Sequence, residues 1–549
     1  MVASQLRYAC ATRIRLVTHT RTTVRTNNID EELQQTLVPA MMEAEFYPKP
    51  PPSVTHKETH ISHLFFAGDL VYKIKKPVRY SFLDFSSLAK RRHFLNEEVR
   101  LNRRLAPSVY LAVVPIVRNV SGWRLSAEGD AAEYALVMRR LPEKRMLPFL
   151  LDTRQVTPEM MRELAELIAN FHMGAEPVKN IDTDRHLTIL EKLWNDNMAD
   201  LEPFVGGLID RDLGRIIDRF GADFLRGHRG LLARRAEQGR IRDIHGDLHC
   251  EHICFAPEGI QIFDCIEFSS QLRCGDVASE IGFLLMDLEA RGGEAMVKPF
   301  LSRYCELLDD SELPVLLPFY QCYRALVRGK VYALRSHGNN GAAARYFRYA
   351  ARLTWLPFQP FLVLLCGLTG TGKTTLAQEL SQRLNLPVFS SDAIRKALTG
   401  KPGRETVPMN AGIYRQPMTE KTYGKIVREA EKQILSGRGA ILDATFAQRA
   451  NRQKVTRMAA KHNVPVFLVH CFATDATIKN RLAHREAEGR DLSDGRWEIY
   501  VEQKAACEPP SEMPVQNYLE LNTVQPVEEL AAVCEKFLRS RLDPREAQL

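Results

Sequence analysis

The chain has 549 residues and a mass of 62.5 kDa, too long for one ordinary core, so two or three domains are expected. Hydrophobic residues at 45% and charged residues at 26% exclude wholesale disorder, and no run approaches eighteen uncharged apolar residues, which excludes a membrane-spanning helix. Lys and Arg exceed Asp and Glu by eight, but five of those charges (Arg7, Arg13, Arg15, Arg21 and Arg25) precede Asp30, the first acid, and the remaining three make no case for a nucleic-acid partner.

Residues 1–45 read as a leader. The first 29 are rich in Arg, Thr and Ser and carry neither an acid nor a secretory apolar region. They imitate an organellar transit peptide, but such composition supports no core. A disordered tail or an over-extended start is the expected reading, with Met41 or Met42 as the plausible beginning. Lys49-Pro50-Pro51-Pro52 then marks the edge of a first folded unit spanning 46–356. The eleven cysteines are scattered, without the spacing of a small secreted scaffold, which points to a reducing, cytoplasmic setting.

In that unit, Leu70–Lys75 alternates as a strand and Phe94–Leu101 opens an amphipathic helix. Phosphoryl transfer to a hydroxyl calls for a lysine on the phosphates and a glutamate that fixes it. Lys73 with Glu98 is the chosen pair; Lys75 and Glu97 compete. One carboxylate must also orient the attacking oxygen while another holds the metal. The segment Ile244-His245-Gly246-Asp247-Leu248-His249-Cys250-Glu251-His252 precedes the strand-like Ile253–Phe255, and Gln261–Asp264 is a second short strand ending in a carboxylate. Asp247 and Asp264, on loops either side of a hairpin, suit the two roles. The nearby His245, His249, His252, Cys250 and Cys254 make zinc the alternative, but paired ligand elements joined by a finger-length loop are lacking.

A seam falls at Trp355–Pro360, where two prolines follow the end of helical periodicity. Residues 357–549 form the second unit. The apolar strand Phe361–Cys366 leads into Gly367-Leu368-Thr369-Gly370-Thr371-Gly372-Lys373-Thr374, with Thr375 next, and a helical pattern of Leu376, Ala377, Leu380 and Leu384 follows. Glycines of this pattern let backbone N–H groups converge on phosphate oxygens at a helix N-terminus. Lys373 would reach the β and γ phosphates, and Thr374 would ligand Mg²⁺. Further strands are read at Val388–Ser390, before Ser391, Asp392 and Arg395; at Ala440–Asp443; at Val466–Cys471; and at Tyr518–Leu521. Five strands alternating with helices predict a parallel, doubly wound sheet, with Asp392 and Asp443 at the strand ends that line the crevice. Arg481 and Arg485 share a face of the helix Ala476–Glu488 and could fold over a transferring phosphoryl; a solvated charged face is the alternative. Arg449 and Arg452 read as substrate-phosphate contacts or surface charge.

These segments resemble two families. The loop Gly367–Thr374, Ser391-Asp392-x-x-Arg395, Leu442-Asp443-Ala444-Thr445 and Arg481-x-x-x-Arg485 resemble P-loop kinases of the polynucleotide 5′-hydroxyl kinase, zeta-toxin and small-molecule kinase group. The resemblance implies that Asp392 accepts the acceptor hydroxyl's proton and Arg395 holds the substrate. It also implies that Asp443 supports metal or acceptor and Arg485 stabilises the transferred phosphate, with Arg481 on the nucleotide. His245-Gly246-Asp247 matches the catalytic loop of the aminoglycoside phosphotransferase family, whose fold is protein-kinase-like, and Asp264 matches its metal aspartate. Tyr134–Arg139 looks like that family's hinge between lobes, and Glu267 and Asp276 are implied contacts to metal or substrate, Asp276 alternatively a helix cap. His252 stands five residues after Asp247, where the family usually has a metal-binding Asn, and Thr59-His60-Ile61-Ser62 replaces a Gly-x-Gly-x-x-Gly loop. Over residues 46–540 the chain resembles bacterial fusions described as bifunctional aminoglycoside phosphotransferase/ATP-binding proteins.

The expectation is an α+β, protein-kinase-like two-lobed domain followed by an α/β doubly wound P-loop domain. Together they would make a cytoplasmic phosphotransferase using ATP and Mg²⁺, with metal residues His252 and Asp264 in one site and Thr374 and Asp443 in the other. Its acceptor would be a small-molecule, nucleotide or sugar hydroxyl. One alternative is a nucleotide-binding regulator whose first domain does not catalyse. Another is a nucleic-acid 5′-hydroxyl kinase, against which the near-neutral body and the lack of an aromatic–basic stripe count.

Overall fold

The computed structural model describes residues 28–80, 83–120, 122–179, 181–335, 340–399, 416–488 and 496–546. The chain divides into two compact units, Met1–Ala351 and Arg352–Leu549. Among the described residues no helix is long and apolar enough to cross a membrane.

The first unit opens on a six-stranded antiparallel sheet of Val54–Glu58 (β1), Ser62–Ala67 (β2), Leu70–Lys75 (β3), Tyr110–Asn119 (β4), Gly122–Leu125 (β5) and Ala131–Arg139 (β6), in the order β1-β2-β3-β6-β4-β5. Side-chain alternation along β3 builds two faces at once. Val71 joins Leu64, Leu95, Leu136 and Met138 in one cluster, and Lys73 and Lys75 share its side of the strand. Tyr72 and Ile74 join Phe65 and Val137 on the other.

The second face is covered by helix Asn28–Ala40 (α1), whose Leu37, with Met41 just beyond it, is fully buried in that cluster. Gln34 Nε2 donates to Lys75 O at 2.7 Å and to Glu133 Oε2 at 2.9 Å. The 1–45 leader is thus corrected from Asn28 onward. The four-residue spacing of Leu33, Leu37 and Met41 makes an apolar stripe, and the sheet face needs a cover. Residues 1–27 lie outside the described residues. Tyr134–Arg139 is also not a hinge: it is the paired end of β6, and Arg139 still opposes Leu70.

Helix Leu88–Asn102 (α2), capped by Ser87, packs on the first face. Beyond the sheet the unit is mainly helical, with Pro158–Gly174 (α3), Val277–Ala290 (α4), Leu313–Arg335 (α5) and Gly341–Leu353 (α6). Two short antiparallel pairs, Ile241–Asp243 (β7) with Cys274–Asp276 (β10) and Ile253–Ala256 (β8) with Gly259–Ile262 (β9), carry the loops that hold Asp247 and Asp264. Asp276 caps α4 through the Ala278 N–H and binds the buried Arg235 through both carboxylate oxygens at 2.8 Å. Its capping reading stands and its metal or substrate reading does not, because both oxygens are used in packing.

The second unit is a five-stranded parallel sheet of Leu362–Cys366 (β11), Val388–Ser390 (β12), Ala440–Asp443 (β13), Val466–Phe472 (β14) and Tyr518–Asn522 (β15), in the order β12-β13-β11-β14-β15. All of β11 is buried because its alternate residues feed opposite cores: Val363 and Leu365 on one face, Leu362 and Leu364 on the other. That explains a near-continuous apolar run where a one-sided sheet would alternate. Helices Lys373–Leu384 (α7), Ser391–Thr399 (α8), Gln416–Leu435 (α9), Arg449–Lys461 (α10), Asp475–Glu488 (α11), Trp497–Ala505 (α12) and Val527–Leu542 (α13) complete the unit. Trp355, expected in the first unit, is buried here with Phe361 and lies 3.8 Å beneath the Arg539 guanidinium.

Candidate active sites

In the first unit the expected residues form one continuous line. Lys73 Nζ lies 2.6 Å from Glu98 Oε1 and 4.0 Å from Asp264 Oδ1. Asp264 Oδ2 lies 3.5 Å from His252 Nε2, and His252 Nδ1 lies 3.8 Å from Asp247 Oδ2. Lys75 reaches the same glutamate at 2.9 Å but is tied to Glu267 at 2.6 Å. Glu97 instead pairs with the exposed Arg100. Lys73, Glu98 and Asp264, with Leu64, Val71, Met138 and Phe263, line a slot of about 30 Å³.

The loop's shape has local causes. Gly246 adopts φ +84°, and a Cβ there would stand 2.9 Å from Ile266 Cδ1, so a side chain is refused both by conformation and by space. Asp264 adopts φ +69°, held by its own N–H to Tyr110 Oη and by the Cys265 N–H to Asn102 Oδ1. A left-handed non-glycine residue costs free energy and persists only where its surroundings enforce it. Burial pushes the Asp247 carboxyl up to about 7 against the Arg328 and Arg324 charges. It pushes Asp264 up to about 6 against Lys73.

Asp247, His249 and His252 bring one ligand atom each within 4.8 Å of one another. One nitrogen of each ring is committed elsewhere. His249 Nε2 faces the Arg328 guanidinium at 3.4 Å, and His252 Nδ1 donates to Asp247 O at 2.8 Å. The donor left on His252 is Nε2, which is buried with no hydrogen-bond partner among the described residues and lies on the Asp264 side.

Sequence reasoning missed Glu280 and Asp287 on α4. Glu280 accepts the His245 and Gly246 N–H groups at 3.1 and 2.8 Å and is braced by His172 Nε2 at 2.7 Å. Asp287 accepts the Cys250 N–H at 3.1 Å. Two acids seven residues apart, Glu280 just before and Asp287 within the apolar run Ile281–Leu288, were the available signal, because a charge buried in such a helix must have partners.

In the second unit Thr369, Lys373, Thr374, Asp392, Arg395 and Asp443 line one cleft of about 260 Å³. The loop leaves β11, and Gly370 takes φ +79° where a Cβ would press on Ile478 Cγ2 at 2.9 Å. Thr374 Oγ1 donates to Asp443 Oδ2 at 2.9 Å, and burial raises the Asp443 pKa against the opposing Lys373 charge and Thr374 hydrogen bond. Asp392 sits in the first turn of α8 and binds Arg395 Nη1 at 3.0 Å. Arg481 donates to Thr523 Oγ1 at 3.0 Å, and Thr523 in turn donates to Thr371 O, so Arg481 is fastened beside the loop. Burial and then the charge of Arg485, four residues further along α11, lower its pKa.

Arg452 is neither a phosphate ligand nor surface charge. It is fully buried and spends its guanidinium on the carbonyls of Phe446, Glu508 and Pro509 and on Glu512. Arg449 is exposed, 4.0 Å from Glu512. Gln503, Asn451 and Lys454, which no motif marks, join the cleft, and Gln503 Oε1 accepts the Thr369 N–H at 2.9 Å.

The model of the phosphotransferase enzyme family matches residues 68–319, and that of an AAA domain matches residues 362–510. Uncharacterized proteins of Mycobacterium tuberculosis and Mycobacterium bovis are 31% identical to this chain over 451 residues, covering 80% of it and 88% of their own length. The chain belongs to their family. This chain joins an aminoglycoside phosphotransferase-like domain to a C-terminal P-loop kinase-like domain. Similar solved structures include a gluconokinase from Sinorhizobium meliloti, at 16% identity over 34% of this chain and 97% of that one, TM-score 0.26. The APS kinase of Mycobacterium tuberculosis, in complex with AMPPNP and APS, is 17% identical over 33% of this chain and 99% of its own, TM-score 0.24.

Proposed function

We propose that the protein is an ATP-dependent phosphotransferase with two nucleotide sites, each moving the γ-phosphoryl group to a hydroxyl acceptor. The observation that carries this reading is the second unit's cleft, where Lys373, Thr374, Asp443, Asp392 and Arg395 face one space. Lys373 and the loop N–H groups hold the phosphates; Asp392 takes the proton as the acceptor oxygen bonds to phosphorus; and Arg395, with Arg481 and Arg485, steadies the moving charge. The bond from γ-phosphorus to the β-bridging oxygen breaks, and ADP leaves. In the first unit Lys73, fixed by Glu98, holds the phosphates, and Asp247 takes the acceptor's proton. A carboxyl raised to about 7 is suited to a general base near neutrality. Thr374 with Asp443, and His252 with Asp264, would hold a divalent ion, which neutralises phosphate charge when bound. The donor sets fit such an ion.

The test is transfer from γ-labelled ATP across a library of sugars, nucleosides and aminoglycosides, using the full chain. Lys73→Met and Lys373→Ala variants assign each product to a unit. Labelled product that survives neither substitution alone supports one coupled reaction, and no labelled product with any acceptor overturns the reading.

A second reading applies to the first unit alone: nucleotide binding without transfer. Beside Asp264 it presents the His252 nitrogen, whereas the Mg²⁺ that usually accompanies nucleotide in transfer prefers oxygen. Transfer that depends on Asp247 would exclude it.

A further inference from the structure

His252 and Asp264 face one another in an unusual way. The His252 ring is completely buried, and its tautomer follows from geometry. A carbonyl oxygen only accepts, so the 2.8 Å contact to Asp247 O puts the ring proton on Nδ1. Nε2 therefore carries a lone pair. It has no hydrogen-bond partner among the described residues and stands 3.5 Å from Asp264 Oδ2. Two electron-pair donors thus converge with no donor between them, in a place where an unpaired polar atom is costly. Two ligands of one cation with bonds of roughly 2.0–2.2 Å stand at about that separation. Lys73 Nζ approaches the other carboxylate oxygen, Oδ1, at 4.0 Å, which leaves Oδ2 on the imidazole side.

We propose that the cation accompanying nucleotide in the first unit is ligated by His252 Nε2 together with Asp264, and that this nitrogen ligand makes the site select a first-row transition ion such as Mn²⁺ over Mg²⁺. The inference rests on the nucleotide-binding part of the function proposed above. Mg²⁺ is a hard ion that prefers oxygen and keeps its waters, whereas imidazole binds the later divalent ions more strongly. The second unit presents a hydroxyl and a carboxylate instead, Thr374 and Asp443, and so suits Mg²⁺. The two sites of one chain differ in metal preference.

The test uses the full chain carrying Lys373→Ala and Thr374→Ala, which remove the second unit's phosphate-facing lysine and one of its two metal ligands, with Mn²⁺ and β,γ-methylene ATP as probes. Pulsed electron paramagnetic resonance should show a ¹⁴N coupling to Mn²⁺ that is absent from the additional His252→Asn variant. Incorporation of ¹⁵N-histidine should convert the coupling to its ¹⁵N pattern in the chain with His252 intact, so the assignment survives a poorly folding Asn variant. In equilibrium dialysis at least a tenfold excess of Mg²⁺ over Mn²⁺ should be needed to displace half of the bound Mn²⁺, and His252→Asn should lower that ratio about tenfold or more. Nucleotide-dependent Mn²⁺ binding with no histidine coupling, or equal displacement by Mg²⁺, overturns this inference and leaves the nucleotide site standing. Absence of nucleotide-dependent Mn²⁺ binding overturns both.

Discussion

Thr374 and Asp443 lie 69 residues apart, yet the threonine hydroxyl donates to the aspartate carboxylate at 2.9 Å. Parallel pairing of β11 with β13 sets this distance, because Leu365 stands opposite Asp443 and the loop turns back over the strand ends. A cation on bound nucleotide would be held by the oxygens that now hold each other.

Nucleotide binding and chemistry should therefore separate in the second unit. In a chain whose first unit is silenced by Lys73→Met, Thr374→Ala should weaken Mg·ATP binding. Asp392→Asn keeps an oxygen toward Arg395 but removes the proton acceptor. ATP affinity should stay within about threefold while kcat falls roughly 10²–10⁴-fold. ATP titration beside turnover with the best acceptor reads both, and turnover within tenfold of the parent would take Asp392 out of the reaction.

In the first unit the same division runs between Lys73 and Asp247. Lys73→Met leaves Glu98 buried with only Lys75 and removes the phosphate-facing cation, so nucleotide binding should fall. Asp247→Asn, in a chain also carrying Lys373→Ala, should retain nucleotide and lose turnover by about 10²–10⁴-fold. A loss of binding equal to that of Lys73→Met would place Asp247 in the nucleotide contacts instead.

Gly246→Ala combines a left-handed backbone with a Cβ 2.9 Å from Ile266 Cδ1. The cost should be about 1–3 kcal/mol of stability, measured by denaturant unfolding. Turnover attributable to the first unit should fall further than stability alone explains, because Asp247 follows directly. An alanine variant as stable and active as the parent would show that the loop relaxes without penalty.

His63 offers a pH-dependent test away from both sites. Burial, followed by the Lys76 charge, lowers its pKa from 6.5 to about 4, with Glu58 opposing. Above pH 6.5 the ring is neutral folded or unfolded, and its full contribution is present. As pH falls from about 6.5 towards 4, the unfolded chain takes a proton that the folded chain refuses, and stability is lost. The parent should lose on the order of 1–2 kcal/mol more than His63→Gln between pH 7.5 and 4.5, after allowance for the ring's partial exposure. Comparing the two chains cancels the raised carboxyls Asp247 and Asp264, whose effect has the opposite sign. Parallel stability–pH curves would show that the ring titrates normally.

Contiguous features were legible in the residue order alone. The loop Gly367–Thr374 carries its strand, turn and helix signals in one stretch, and the parallel sheet follows from apolar runs at regular intervals. His245-Gly246-Asp247 and the strand-end Asp264 are likewise local. Only the folded chain separated Lys73 from Lys75, since both reach Glu98 and what distinguishes them is Glu267, 192 residues from Lys75. It also turned Arg452 and Asp276 into packing residues, placed Gln503 against Thr369, 134 residues away, and set Glu280 beneath the His245–Gly246 backbone. Periodicity reports how a residue sits relative to its neighbours in the chain. It carries no information about which distant carbonyl or carboxylate will meet a buried charge, and burial makes that meeting obligatory, because an unpaired charge in an apolar interior costs several kcal/mol.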